Sequence, residues 1–307
     1  MKRFFMNTLF ALMFLAGFGI LVYPTVADQW NTYRQSQLIT NYENVIEELE
    51  EEDFTAVWEL AKAYNESLSY NPVFGNWGMD DVNVEDQEYW NALNVAGDGV
   101  MGYISIPKIK IKFPIYHGSS ETILQTSIGH IYGTMLPIGG ENTHSVLAGH
   151  RGLPSARLFT DIDQLQAGDM IYIHMLNETF AYQVDRVQDM IPKDDTKALA
   201  EAMALEEGGD HITLFTCTPY GVNSHRLLVR GTRVPYVEEE EIVAVTVPEA
   251  MLESVQNYYM LYVIMGLSVT LLVIVIMKFL IGRGARKKQK KAKKAQETQT
   301  EDNKETP

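Results

Sequence analysis

The chain has 307 residues, 46% of them apolar, and a formal charge of −15. That length accommodates one or two domains around a real core. Its single cysteine excludes an internal disulfide, and the acidic balance argues against nucleic acid as a partner.

Phe4 to Ala27 carries no charged residue and follows Lys2 and Arg3. The run is long enough to cross the roughly 30 Å hydrocarbon layer as a helix. "TVA" at Thr25 to Ala27 resembles a signal-peptidase site. The apolar run exceeds a usual signal core, however, so an uncleaved anchor over residues 1–27 is expected. Residues 28–71 read as helical, because Val45, Ile46 and Leu49, then Val57, Trp58, Leu60 and Ala61, recur at helical spacing. The acidic run Glu47 to Asp53 marks a solvated face or a junction between two helices. Over residues 72–100 the composition shifts to Gly, Asn and Asp with scattered aromatics. This predicts a long loop, with Trp77, Tyr89 and Trp90 as its anchors, and loops of that length are usually functional or disordered.

From Met101 the period changes to two. Ile104 and Ile106 alternate with other residues, as do Ile109, Ile111, Phe113 and Ile115. Further strands are predicted at Thr143 to Ala148, Met170 to Met175, Thr179 to Val187, His211 to Cys217 and Arg226 to Val234. One helix, Asp195 to Leu205, interrupts them, with Gly208 and Gly209 as its stop. Many short strands with few helices predict a mainly β domain, a barrel or sandwich, over residues 101–235. A charged connector (236–257) leads to a second uncharged run, Tyr258 to Met277, read as a membrane span over residues 258–281. The tail, residues 282–307, holds Arg283, Arg286, Lys287, Lys288, Lys290, Lys291, Lys293 and Lys294. The positive-inside rule puts both termini in the cytoplasm and residues 28–257 outside. That outer part carries thirteen basic and thirty-six acidic residues, a formal charge of −23, which repels anionic polymers.

The cysteine stands in "TLFTCTPYGVNSHRLLVRG", at the end of an apolar run and nine residues before Arg226. In a strand, Thr213, Phe215 and Cys217 share one face, while Leu214 and Thr216 share the other. If the strand pairs with the next as a hairpin, Cys217 and Arg226 meet across its mouth. Positive charge near a thiol favours the reactive thiolate, and an arginine can donate to a developing oxyanion. The alternative is a buried cysteine acting as a small apolar residue. Acyl transfer also needs a proton donor. Of seven histidines, His150 is the best placed, since "HSVLAGHRG" runs an apolar strand into Gly149-His150-Arg151-Gly152. His144 lies deeper on the same strand face and reads as structural. His225 adjoins the arginine but points the opposite way. Asp161, Asp163 and Asp169 invite a calcium reading, but their spacing is that of a surface loop. No metal motif is present in the sequence, and no cofactor is expected.

"TLFTC", "TCTPYGVNSHRLLVRGTR", "THSVLAGHRGLPSARLFTDID" and "GDGVMGYISIPKIKIKFPIYHG" together resemble the sortase family, specifically class C or pilus-assembly sortases, along nearly all of residues 97 to 234. The resemblance implies an eight-stranded β-barrel with N-terminal helices and two flanking transmembrane helices. It implies that Cys217 attacks the Thr–Gly bond of a Leu-Pro-x-Thr-Gly-like sorting signal and forms a thioacyl enzyme. His150 then protonates the departing amine, Arg226 positions the substrate and stabilises the oxyanion, and Thr216 helps shape the oxyanion site. The partners implied are sorting-signal-bearing pilins or surface proteins, with a pilin lysine as the incoming amine. Class C enzymes carry an Asp-Pro-aromatic lid motif, which "YNPVFGNWGMDDVNVEDQEYW" lacks. Either Asn76-Trp77 replaces it, with the indole near the thiol, or Trp77 packs on the barrel exterior. Three other readings compete: a sortase that anchors proteins to cell-wall peptide amines, a non-catalytic protein that binds sorting signals, and a cysteine protease with water as acceptor. Signal choice is expected to reside in the Asp189 to Gly209 segment.

Overall fold

A computed structural model describes residues 2–70, 86–238 and 266 of the chain. Among these residues five helices precede or interrupt the strands: α1 (Lys2–Glu48), α2 (Glu51–Ser67), α3 (Gln87–Asn91), α4 (Glu121–Leu124) and α5 (Thr196–Ala202). The strands are β1 (Val100–Ile106), β2 (Ile111–His117), β3 (Ile128–His130), β4 (Thr143–Ala148), β5 (Met170–Met175), β6 (Glu178–Pro192), β7 (Asp210–Thr218) and β8 (His225–Val234). They close a barrel in the order β1-β2-β3-β4-β7-β8-β6-β5, with Tyr103 opposite His174 where β1 meets β5. Of the two alternatives left by strand pattern, the barrel is the one observed.

Two neighbouring pairs are parallel, β2 with β3 and β4 with β7. Parallel strands need a crossover between them. α4 lies in the short one, and the β5–β6 hairpin with α5 makes the long one. The crossovers cover the outer face, so β4 and β7 are buried on both sides. Leu147, Ile212 and Leu214 fill the barrel interior with Ile104, Ile115, Ile171 and Val229. Val146, Ala148 and Phe215 face outward, into a second cluster with Leu124 of α4 and Leu199, Ala202 and Met203 of α5 or its end. Burial on both faces is why "ITLFTC" reads as a nearly continuous apolar run.

The first helix is strapped to the barrel by polar groups at helical spacing. In α1, Asn31, Gln35, Ile39 and Tyr42 form the buried stripe. Tyr42 donates to the Met101 carbonyl at 2.9 Å and accepts from the Leu176 amide at 2.8 Å. Leu176 sits in the β5–β6 turn with φ of 50°, a left-handed conformation unfavourable for leucine, and this bond helps hold it. The junction read into the acidic run is real: α1 ends at Glu48 and α2 begins at Glu51. The Glu50 amide donates to Asp53 at 3.2 Å, and Glu51, Glu52 and Asp53 place negative charge on the helix N-terminus. Residue 27 is not an element boundary, because α1 runs through it. Its part beyond the barrel exposes Phe5, Leu12, Ile20 and Leu21 and is long and apolar enough to cross a membrane.

Four expectations need correction. The strand read as Thr179 to Val187 runs on to Pro192, because β8 continues to pair with it past a register shift. The segment read as loop up to residue 100 contains α3, a helix too short to show periodicity, capped by Asp86 accepting from the Tyr89 amide at 3.0 Å. β3 is only three residues long and was not predicted as a strand. The helix read as Asp195 to Leu205 is shorter: Asp195 caps it, and it ends at Ala202. Asn76 and Trp77, the second span (Gly266 apart) and the basic tail lie outside the described residues.

Candidate active site

Three neighbouring strand ends build the site. β7 and β8 pair with Cys217 directly opposite Arg226. The Arg226 Nη1 lies 3.4 Å from Cys217 Sγ, and the same nitrogen donates to the His225 carbonyl at 3.1 Å and the Asn223 carbonyl at 3.3 Å. The guanidinium is therefore clamped by the hairpin loop beside the sulfur. Below it, 5.9 Å away, is the ring of Phe215, which shares the strand face of Cys217.

Cys217 is only 4% exposed. Burial pushes its thiol up to about 11, while Arg226 and then Lys193 pull it down. The expectation that the arginine favours the thiolate is met in direction, but desolvation outweighs it.

β4 supplies His150. Ala148 pairs with Phe215 in the parallel register, so His150 and Cys217 each stand two residues beyond a matched pair. The register continues past the strand: the Gly149 amide donates to the Phe215 carbonyl at 3.2 Å, and the Thr216 hydroxyl donates to the Gly149 carbonyl at 2.6 Å. Thr216 is fully buried, with its hydroxyl tying β7 to the residue before the histidine. A side chain at Gly149 would start 2.7 Å from the Phe159 ring and 2.8 Å from the Ile128 side chain, so glycine leaves room for both beside the backbone. His150 Nε2 lies 3.4 Å from the Glu121 carboxylate of α4.

Arg151 and Glu121 escaped the sequence reading. Arg151 donates to the Thr160 carbonyl at 3.1 Å, to Thr218 Oγ1 at 3.1 Å and to the Asp163 carboxylate. It ties the turn after His150 to the end of β7. A cation inside "GHRG", beside a buried strand, was the available signal. Glu121 lies in a four-residue helix and gave none.

The other histidines have structural surroundings. His144 is buried, bonded to the Ala204 carbonyl at 3.0 Å and Thr213 at 2.7 Å. His225 turns to Ser224 at 2.8 Å. Asp161 pairs with Arg157, Asp163 with Arg151, and Asp169 with Lys108 at 3.6 Å. Among the described residues no group of three His, Cys, Asp or Glu is arranged to hold a metal ion.

A thiol, an imidazole just beyond the end of the neighbouring strand and a guanidinium on the other side have the chemistry that a nucleophile, a proton carrier and an oxyanion donor require. Comparison with known proteins points the same way. Residues 104–234 match the sortase domain. The solved structure of sortase C1 from Streptococcus agalactiae is 45% identical, covering 66% of this chain and all of that one, with a TM-score of 0.58. Sortase C-1 from S. pneumoniae is 38% identical, covering 66% and 100%, with a TM-score of 0.56. Sortase A of Bacillus anthracis is 32% identical over 135 residues, 44% of this chain and 60% of that protein. The chain thus spans less than two thirds of the curated relatives just described and of two others, at 65% and 47%. With the barrel, the strand ends and the solved structures in agreement, the chain belongs to the sortase family.

Proposed function

We propose that this sortase is a membrane-anchored cysteine transpeptidase of the pilus-assembling class C kind. The observation that carries the chemistry is the Cys217–Arg226 contact, with His150 two residues beyond Ala148 of the adjacent β4, as Cys217 is beyond its partner Phe215. The thiol transfers its proton to His150 as sulfur attacks the Thr carbonyl of a Leu-Pro-x-Thr-Gly-like signal. Arg226 donates to the oxyanion, the C–N bond breaks, and the glycine amine leaves with the proton from His150. A lysine amine then attacks the thioester, His150 takes its proton, and the thiol is released as an isopeptide bond forms. Because the thiol is held up to about 11, it rests protonated at neutral pH, and the attacking thiolate forms together with the imidazolium. Thr216 acts on this site by fixing Gly149. α1 anchors the chain, with the barrel outside.

The likeness to two class C structures supports pilin polymerisation. The curated relatives named sortase A favour, as a second reading, the same chemistry with a cell-wall amine as acceptor. Intact-mass spectrometry of the full chain in nanodiscs and of Cys217→Ala separates them. With a sorting-signal peptide, an acyl adduct is expected on the parent chain alone, resolving onto a lysine-bearing pilin fragment. An adduct that passes only to glycine-like amines selects anchoring, one that passes only to water selects proteolysis, and no adduct at all overturns the transpeptidase.

A further inference from the structure

We infer that Arg151 is a positioning residue that fixes the separation of Cys217 and His150 through the Thr218 hydroxyl; this rests on the acyl-transfer reading above. The need for such a residue follows from where the strand ladder stops. β4 and β7 are paired only as far as Ala148 and Phe215, and the Gly149 amide carries the backbone bonding one residue further. His150 lies past that point, whereas Cys217 stays inside β7, in register with β8. Proton transfer between a thiol and an imidazole tolerates little slack, because a misplacement of about 1 Å can cost about a hundredfold in rate.

A side chain spans the gap that the ladder leaves. From the turn after β4, Arg151 Nη1 donates to Thr218 Oγ1 at 3.1 Å, and Thr218 directly follows the cysteine. One residue before the cysteine, the Thr216 hydroxyl donates to the Gly149 carbonyl at 2.6 Å. The Gly149–Thr216 and Arg151–Thr218 bonds therefore bracket His150 and Cys217 from both sides. Both threonines are buried, where water does not compete for these bonds.

The outer bond has a rigid base. Arg151 Nε donates to the Thr160 carbonyl at 3.1 Å, and Nη2 donates to the Asp163 carboxylate. In the same loop the Phe159 amide donates to the His150 carbonyl at 3.1 Å, and the Gly152 amide to Thr160 Oγ1 at 3.2 Å. Leu158, Phe159 and Ile162 are fully buried and fix this loop to the core. The Arg151 side chain is only 9% exposed, and a buried cation costs stability unless its donors are matched. Partners in three directions suit a planar guanidinium; an ammonium on a flexible stem does not reproduce that fork. Of these three partners, Thr218 alone belongs to the strand of Cys217.

The test uses the full chain in nanodiscs. Thr218→Val keeps the side-chain shape and removes the acceptor of the crossing bond; Arg151→Lys keeps the charge and loses the fork. Each should lower kcat for cleavage of Leu-Pro-Glu-Thr-Gly amide about tenfold, with KM within about twofold of the parent chain. Iodoacetamide labelling of Cys217 at pH 8 should also stay within about twofold. Unfolding would expose the buried thiol and speed labelling, so unchanged labelling assigns the loss to geometry. An unchanged kcat, a loss carried by KM, or a loss that comes with altered labelling overturns the inference. A second measurement reads the separation without catalysis. In His150→Cys the two thiols should be bridged by dibromobimane, which fluoresces once both its arms have reacted. Adding Thr218→Val should slow bridging at least about fivefold, with single-arm labelling unchanged. Bridging that is absent in His150→Cys, or equally fast after Thr218→Val is added, overturns the inference. If the parent chain cleaves no donor, the transpeptidase reading fails instead, and bridging alone decides whether Arg151 sets the separation.

Discussion

At Cys217 burial and charge act in opposite directions, and burial is the larger. Alkylation by iodoacetamide should therefore rise about tenfold per pH unit from pH 7 to about 10 and bend only near 11, because only thiolate reacts. A bend near the ordinary thiol value of about 8.5 would show that the sulfur is solvated. Removing the guanidinium leaves desolvation with less opposition. Arg226→Ala should lower the labelling rate at pH 8 by at least about threefold, on the scale of half a pKa unit or more. The pairing of Cys217 with Arg226 was legible in the sequence because strand ends, period-two faces and hairpin spacing are local properties. Glu121 and Arg151 were not. Their partners, His150 for one and Thr160, Asp163 and Thr218 for the other, are fixed only by how the crossovers fold back over β4 and β7.

Among the elements, α2 is held by one side chain more than its apolar face suggests. Asn65 donates to the Leu136 carbonyl at 3.2 Å and accepts from the Leu136 amide at 2.7 Å, closing a buried two-bond bracket onto the β3–β4 connection. Asn65→Ala leaves both backbone groups without that partner and should cost about 1–3 kcal/mol. Unfolding of the full chain in micelles, followed by near-UV circular dichroism, reads that loss. Turnover at saturating donor should stay within about twofold, since Asn65 touches none of Cys217, His150 or Arg226. Long strands with clear alternation were read to within a residue or two at most ends. The far end of β6, beyond Val187, was missed, as were β3 and α3, which are three and five residues long. Such pieces are stable only through what covers them. Tyr89 of α3 is fully buried, bonded to His130 of β3 at 2.9 Å and accepting from the Gly118 amide at 2.7 Å.

Across the whole molecule, four histidines are kept neutral chiefly by burial. His130 is lowered to about 3 and His144 to about 4, and His117 and His211 are lowered too. In the unfolded chain each titrates near 6.5, so below that pH the unfolded state binds more protons. Their contribution is therefore present above about pH 6.5 and is lost progressively as pH falls toward the folded values. Asp185 and Glu206 add a second, more acidic phase. Burial raises the Asp185 carboxyl, but Arg230 more than offsets it, and hydrogen bonding to Arg230 lowers Glu206. That phase begins only below about 4, the unfolded carboxylate range. The thermal midpoint of the full chain should fall clearly between pH 7 and pH 5, before any carboxylate phase. A midpoint constant over that interval would contradict neutral burial of these rings. His144→Gln should flatten the slope in proportion to one site.

The parallel pairing of β4 with β7 also governs when this chain becomes reactive. His150 and Cys217 belong to strands that meet only after residues 149–209 have formed the β5–β6 hairpin and α5 between them. Arg226 arrives later still, on the last strand of the barrel. Pairings this distant in sequence are slow to form, because loop closure precedes any reward from contact. A growing chain therefore carries Cys217 without His150 or Arg226 in register, and so without the partners that the proposed mechanism requires. Incomplete copies remain chemically silent toward neighbouring polypeptides until β8 is in place.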